Sequence, residues 1–381
     1  MSLIKEILLA FKQHRLTIKP KINVSLAARK KSSNKSIKEY CSYFATVLIA
    51  FSIYVCLKTL LDVYILISTG RIIGTEDWVD LMYQKKEGIG FNTPPIKKRI
   101  LIVSGSNGLF GISAKAISQK TGMAAINLGV HAGLGGEYIL SRAAKIFRKG
   151  DVVLLPLEYP FYSSSGISDD FRTNWNMLGN FLISYDRSSL QNISVISLLN
   201  FALRNALVDP KSPEYRNFYR GHLSRKDILE RLNKTHISGN CYSGLSFNEY
   251  GDETCNIGKE NVPVNPSVLE TAISPSMSEI DPGSYIKRFV KHATERGVKI
   301  IPLYPVSVYT DDYKNPAYLE SAQKIKEFWE KLGFKFQDRI TDSLLPPQLM
   351  YNSSYHPKDS GRQLRTKVVI EIINETLKSN D

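Results

Sequence analysis

Residues 100–160 read ILIVSGSNGLFGISAKAISQKTGMAAINLGVHAGLGGEYILSRAAKIFRKGDVVLLPLEYP. Three short apolar runs stand out: Ile100–Val103, Ala124–Leu128 and Asp151–Leu157. Each is short, rich in β-branched or aliphatic residues and ends in a polar or glycine-rich turn, the pattern of a buried strand. Helical patterns fill the intervals over about 109–120 and 137–148. Buried strands alternating with helices predict a parallel sheet with helices on both faces.

The same rhythm returns further on. A helical stretch, SYIKRFVKHATERG (284–297), precedes a fourth apolar run, Val298–Tyr304. A helix over 316–331, a short strand at Lys335–Gln337 and a last helix over Ser360–Lys378 complete the expected order. Residues from about 160 to 285 break the rhythm. They are richer in Asn, Ser, Tyr and Arg, with helical stretches such as SVISLLNFALRNAL (194–207), and read as an insertion or cap. The α/β domain is thus expected over 99–381.

Upstream, no charged residue occurs from Tyr40 to Leu57, and apolar character resumes after Lys58. About 20 apolar residues cross a bilayer core. A transmembrane helix over 42–67 is expected, with Lys58 snorkelling or pairing with Asp62 one turn on. Arg29, Lys30, Lys31, Lys35 and Lys38 precede it. By the positive-inside rule, residues 1–41 form a basic cytoplasmic head and the large domain lies outside the cytosol. Residues 68–98 read as a connecting stalk containing a short helix, TEDWVDLMYQKK (75–86).

The formal net charge of +14 suggests an anionic partner, but residues 1–40 hold ten Lys or Arg against two Asp or Glu. The basicity belongs mostly to the head, which argues against nucleic acid and for a membrane surface. Outside the cytosol, Cys241 and Cys255 suit a disulfide closing CYSGLSFNEYGDETC; a metal site and two free thiols are the competing readings. SGSNG and GLGG lack the spacing and lysine of nucleotide-binding loops. No cofactor and no metal are expected.

In open α/β sheets, functional groups gather beyond the C-terminal strand ends. Here those ends carry Ser104-Gly105-Ser106-Asn107, Asn127-Leu128-Gly129 and Glu158, and the late loop YNSSYHP (351–357) carries His356. Acyl chemistry needs an exposed Ser on a tight turn, a His base and oxyanion donors. Ser106 fits the first role and His356 the second. The Ser106 and Gly129 N–H groups and a side-chain amide, Asn107 or Asn127, fit the third, with Glu158 lining the pocket. His131 is a further candidate. Each has a plainer alternative: a helix-capping Ser, or a His that only supports a turn.

The order of these pieces resembles the SGNH/GDSL hydrolase superfamily, and YNSSYHPKDSGRQLRT and FNEYGDETC resemble stretches of membrane-anchored SGNH-like proteins of bacterial surface-polysaccharide loci. The resemblance covers about 98–375. It implies a three-layer α/β/α, flavodoxin-like domain and a serine esterase or O-acyltransferase acting on cell-envelope glycan or another acylated carbohydrate. It also implies residence in the inner membrane and a membrane-bound acyl-donor protein as partner. Ser353 stands where the family has its Asp, so Asn352 or Ser353 is expected to orient His356, with Asp338 or Asp342 reaching in as alternatives. The family's Gly-x-Asn-Asp block is also missing, as strand three ends Leu157-Glu158-Tyr159. These departures keep open a catalytically inactive binding or assembly protein.

Overall fold

A computed structural model describes residues 26–69, 77–94, 98–162, 225–239, 241–266 and 285–378, with most of 177–192 and of 269–280. The helical stretch expected over 194–207, and an amphipathic helix that LIKEILLAF (Leu3–Phe11) suggests, lie outside the described residues.

Helix α1 runs from Leu26 to Thr69. Within it, Glu39–Lys58 is long and apolar enough to cross a membrane, and none of that window is buried against protein. Its exposed side chains include Tyr43, Phe44, Ile49, Phe51 and Tyr54.

The domain is α/β, built on a four-stranded parallel sheet in the order β2-β1-β3-β4. The strands are β1 Arg99–Ile102, β2 Ala124–Asn127, β3 Val152–Pro156 and β4 Lys299–Leu303. Because side chains alternate across a strand, each strand feeds two cores. Ile100, Ile102, Ala125, Val152, Leu154, Ile301 and Leu303 meet Ile117 of one helix and Val369, Ile372 and Ile373 of another. Those helices are α4 (Ala114–Thr121) and the C-terminal Asp359–Lys378. Leu101, Val103, Ile126, Val153 and Leu155 face the larger core, with Ile139, Phe289, Val290, Ile325 and Trp329. These last come from helices α5 (Gly136–Ala144), α7 (Tyr285–Glu295) and α8 (Pro316–Lys331).

Residues 77–92, within the segment read as a stalk, form helix α2, and Trp78, Val79, Met82, Tyr83 and Lys86 are buried in the domain. Its apolar face sits one turn apart along the helix, so it packs rather than links. Arg99, at the start of β1, donates to both carboxylate oxygens of Asp151 at 2.9 and 2.6 Å and to the carbonyls of Gly90 and Ile146. This buried pair ties α2, β1 and β3 at the end of the sheet opposite the candidate site.

Two local expectations are corrected. The helix expected over 109–120 is two: α3 (Ser106–Gly111) and α4. Ser113 caps α4 by accepting from Ala116 N, and Asp252 accepts from the amides of Ala114 and Lys115 at 2.7 and 2.9 Å. Supplied with acceptors from outside, the amides of a second helix start outcompete continuation of the first. The second correction is Lys335–Gln337, which pairs with no strand. Phe336 there is buried edge-on against Tyr304. Nearby, Ser307–Val308 (β5) and Leu344–Leu345 (β6) pair in a separate two-stranded sheet.

Inside the expected insertion, α6 spans Arg225–Ile237, and Cys241 and Cys255 are disulfide-bonded with Cα atoms 5.3 Å apart. The loop they close lies on the edge strand β2: Asn127 N donates to Tyr250 O at 2.8 Å. Gly251 is required beside it, since φ is +83° and a Cβ would meet Asn127 O at 2.5 Å. An otherwise open sheet edge is covered in this way.

Candidate active site

Ser106 is the first residue of α3, at the C-terminal end of β1, and is partly exposed. The turn before it is tight because Gly105 lies against the next loop and the next strand end. A Cβ there would meet Ala132 Cα and Glu158 Oε1, both at 2.6 Å. Only glycine fits without displacement. The Ser104 hydroxyl accepts from Gly108 N at 2.9 Å and steadies the turn from below.

His356 sits in β8 (His356–Pro357), which pairs antiparallel with β7 (Met350–Ser353). Its imidazole stacks on Phe110 with centroids 4.2 Å apart and planes at 18°. Ser106 and Phe110 are four residues apart on α3 and so share a helix face, and the imidazole is stacked on the Phe110 of that face. No hydrogen bond joins the Ser106 hydroxyl to His356, nor to any other described residue. Catalytic pairs often tighten only when substrate is bound.

His356 Nδ1 lies 2.8 Å from Asn352 Oδ1. Asn352 thus takes the orienting place, and Ser353 does not: its hydroxyl accepts from Tyr355 N. Asp338 does not reach in either. It is buried in a two-pronged pair with Arg365 and also accepts from Tyr304 N. Asp342 pairs with Arg339. Burial, with a smaller contribution from His131, pushes the His356 pKa down to about 3, so the ring is neutral at physiological pH. A neutral ring facing an acceptor oxygen carries its proton on Nδ1 and leaves Nε2 as a lone pair.

The expected oxyanion donors are arranged differently from the reading of the sequence. Asn107 Nδ2 donates to Val306 O at 2.6 Å, tying α3 to the chain beyond β4. Asn127 Nδ2 donates to Gly108 O and Ile112 O, and its Oδ1 accepts from Gly129 N at 3.0 Å. Both amides are structural braces, and the Gly129 N–H is taken. Glu158 accepts from Gly105 N at 3.1 Å and Asn107 N at 2.9 Å, so it occupies the first amides around the Ser106 turn. Burial outweighs those bonds and raises its pKa to about 7. The Ser106 N–H is the amide of this turn that donates to no described residue.

His131 accepts from Gly133 N through Nδ1 at 2.9 Å, which puts its own proton on Nε2, and burial lowers its pKa. The neighbouring Ala132 covers Gly105, so this loop borders the Ser106 turn. Lys86 was not singled out in the sequence. Its buried ammonium donates to Gly129 O at 2.6 Å, and burial lowers its pKa to about 7. Tyr242 was also missed: its hydroxyl accepts from Asn352 Nδ2 at 3.2 Å. Among the described residues, no group of three or more His, Cys, Asp or Glu is placed to hold a metal ion.

No family model, curated protein or solved structure matches the chain.

Proposed function

We propose that this chain is a serine-dependent acyl-ester hydrolase or O-acyltransferase acting on cell-envelope carbohydrate. Its domain is read as a three-layer, SGNH-like one held outside the cytosol by α1, in the inner membrane. The observation that carries the proposal is the joint placement of Ser106 and His356. A serine opens α3, an imidazole is stacked on that helix one turn later, and an amide holds the imidazole's far nitrogen.

In this reading His356 Nε2 takes the Ser106 proton as Oγ attacks the acyl carbonyl. The Ser106 N–H receives the developing oxyanion, and Nε2 then returns the proton to the leaving alcohol. Water as acceptor completes a hydrolysis; a sugar hydroxyl, with an acyl group delivered by a membrane-bound donor protein, completes a transfer. Asn352 keeps the tautomer that an Asp would keep but supplies no charge for the imidazolium. Chemistry slower than that of an Asp-bearing triad follows.

A second reading is a binding or assembly protein for surface polysaccharide. One observation favours it: the amides of Gly105, Asn107 and Gly129 are already bonded within the protein. Losing one oxyanion donor lowers rates by about 10²–10³-fold in a serine protease. The full chain in detergent, assayed for p-nitrophenol release from p-nitrophenyl acetate beside Ser106→Ala and His356→Ala, separates the two. Turnover lost in both variants, with circular dichroism unchanged, supports the acyl enzyme. Turnover equal in all three removes it in favour of the binding protein.

A further inference from the structure

We propose that His131 is a catalytic residue of this site: its Nε2–H joins the Ser106 N–H as the second donor to the acyl oxyanion. The inference deepens the Ser106–His356 reading above, and its catalytic part rests on that reading.

One donor stabilises an oxyanion poorly, and the surrounding amides are spent. Gly105 N and Asn107 N donate to Glu158, and Gly129 N donates to the Asn127 side chain. The Nδ2 groups of Asn107 and Asn127 donate to backbone carbonyls. A second donor must therefore come from a side chain not already committed.

His131 meets the chemical requirement. A backbone N–H can only donate, so the bond from Gly133 N at 2.9 Å makes Nδ1 the acceptor of the ring. Burial lowers the pKa of the ring and keeps it neutral, so its one proton is on Nε2. That N–H has no partner among the described residues. With Nδ1 occupied and Nε2 protonated, the ring cannot act as a base; it can only donate. His356 is its complement, with Nδ1 on Asn352 Oδ1 and Nε2 left to accept.

Its position fits as well. The loop carrying His131 touches α3 at two points: a Cβ on Gly105 would meet Ala132 Cα at 2.6 Å, and one on Gly129 would meet Leu109 N at 2.6 Å. His356 stacks on Phe110 of the same helix. The two imidazoles are near enough that His131 disfavours a charge on His356. The His131 ring is also fixed in place. Trp78 packs edge-on against it with centroids 5.6 Å apart, and Gly133 lies so close that a Cβ there would meet Nδ1 at 2.8 Å. A donor fixed before substrate arrives costs no reorganisation as charge develops. As Ser106 Oγ bonds to the acyl carbon, the carbonyl π pair moves onto oxygen and meets both N–H groups. The pair returns when the alcohol leaves with the proton from His356. His131 itself transfers no proton.

The full chain in detergent is assayed for p-nitrophenyl acetate turnover at pH 7 beside His131→Ala and His131→Phe. Phenylalanine keeps a ring against Trp78 but has no N–H, so it separates packing from donation. Both variants are expected to lower kcat by about 10²–10³-fold with KM little changed, the loss seen when an oxyanion donor is removed from a serine protease. A wild-type kcat in His131→Phe, or a loss confined to KM, overturns the proposal and leaves Ser106 and His356 in their roles. Should His131→Ala fail to fold, His131→Phe decides. A second measurement needs no turnover. In the wild type labelled with ¹⁵N at histidine, His131, assigned by its loss in His131→Phe, is expected to show a pyrrole-type Nε2 and a pyridine-type Nδ1 at pH 7. A ring protonated on Nδ1 there overturns the proposal whatever the kinetics. The expected tautomer in a wild type without turnover defeats the Ser106–His356 reading, and the catalytic role of His131 falls with it.

Discussion

Restoring a charge beside His356 is the sharpest perturbation of the site. In Asn352→Asp a carboxylate replaces the amide whose oxygen lies 2.8 Å from His356 Nδ1. With charge centres roughly 4 Å apart and an effective dielectric constant of about 20, the attraction to an imidazolium is about 4 kcal/mol. Each 1.36 kcal/mol is tenfold in the protonation equilibrium, so about three powers of ten are recovered. The His356 pKa, held at about 3 by burial, then rises to about 6. Tyr242 can turn its hydroxyl to donate to the new carboxylate, which keeps that group ionised. Proton NMR titration of the His356 ring in the full chain reads the change. Turnover of p-nitrophenyl acetate at pH 7 rises with it, because a more basic Nε2 takes the serine proton more readily. A titration midpoint still near 3 in Asn352→Asp, with the fold intact, would refute the reasoning. It would mean that a carboxylate at position 352 does not offset the burial of this imidazole.

Two groups of the site should oppose each other in acid. His356 is neutral when folded down to about pH 3, so the unfolded chain alone binds its proton below the ordinary histidine pKa near 6.5, and stability falls as pH drops through that window. Glu158, raised to about 7, holds its proton in the fold while the unfolded carboxyl loses it above 4.5, so its contribution falls as pH rises from 4.5 to about 7. Between pH 4.5 and 6.5 the two slopes cancel. Glu158→Gln is expected to unmask the histidine slope of about 1.4 kcal/mol per pH unit, read by urea unfolding at several pH values; an unchanged pH profile counts against it. Gly105→Ala puts a Cβ 2.6 Å from Ala132 Cα and Glu158 Oε1 and should destabilise by about 1–3 kcal/mol in the same assay. Cys241→Ser with Cys255→Ser opens a loop whose ends are 14 residues apart and should lower stability by about 3 kcal/mol. Equal melting of oxidised and reduced wild type would contradict that.

The four sheet strands were legible because each is a short buried run between polar turns, a signal carried by the local sequence alone. Helices α8 and the C-terminal one were equally readable, with Asn315 and Pro316 marking one start and the pattern ending near Lys378. The split between α3 and α4 was not, since the acceptor that makes it possible, Asp252, comes from 138 residues away. For the site, Ser106, His356 and Asn352 could be named from their places at strand ends and in the late loop. The roles of Asn107, Asn127 and Glu158 could not. A polar residue at a strand end looks the same whether it faces a substrate or braces a turn. Here Val306, Gly108, Ile112, Gly105 and Asn107 itself supply the bracing partners. Tyr242 carried no local signal at all, since its contact to Asn352 spans 110 residues that include the end of the insertion and strand β4.

The strand order also sets a timetable. Strands β1, β2 and β3 all lie within residues 99–156, whereas β4 begins only at Lys299. During synthesis the first three can pair at once, and β3 then presents the unpaired backbone of Val152–Pro156 until the chain beyond it has emerged. For that interval the nascent domain carries a wholly apolar rim, VVLLP, ready to accept any extended segment. A chain halted between Leu157 and Val298 would keep that rim permanently, so truncations inside the insertion should aggregate, while those that end before β3 is made should not expose it.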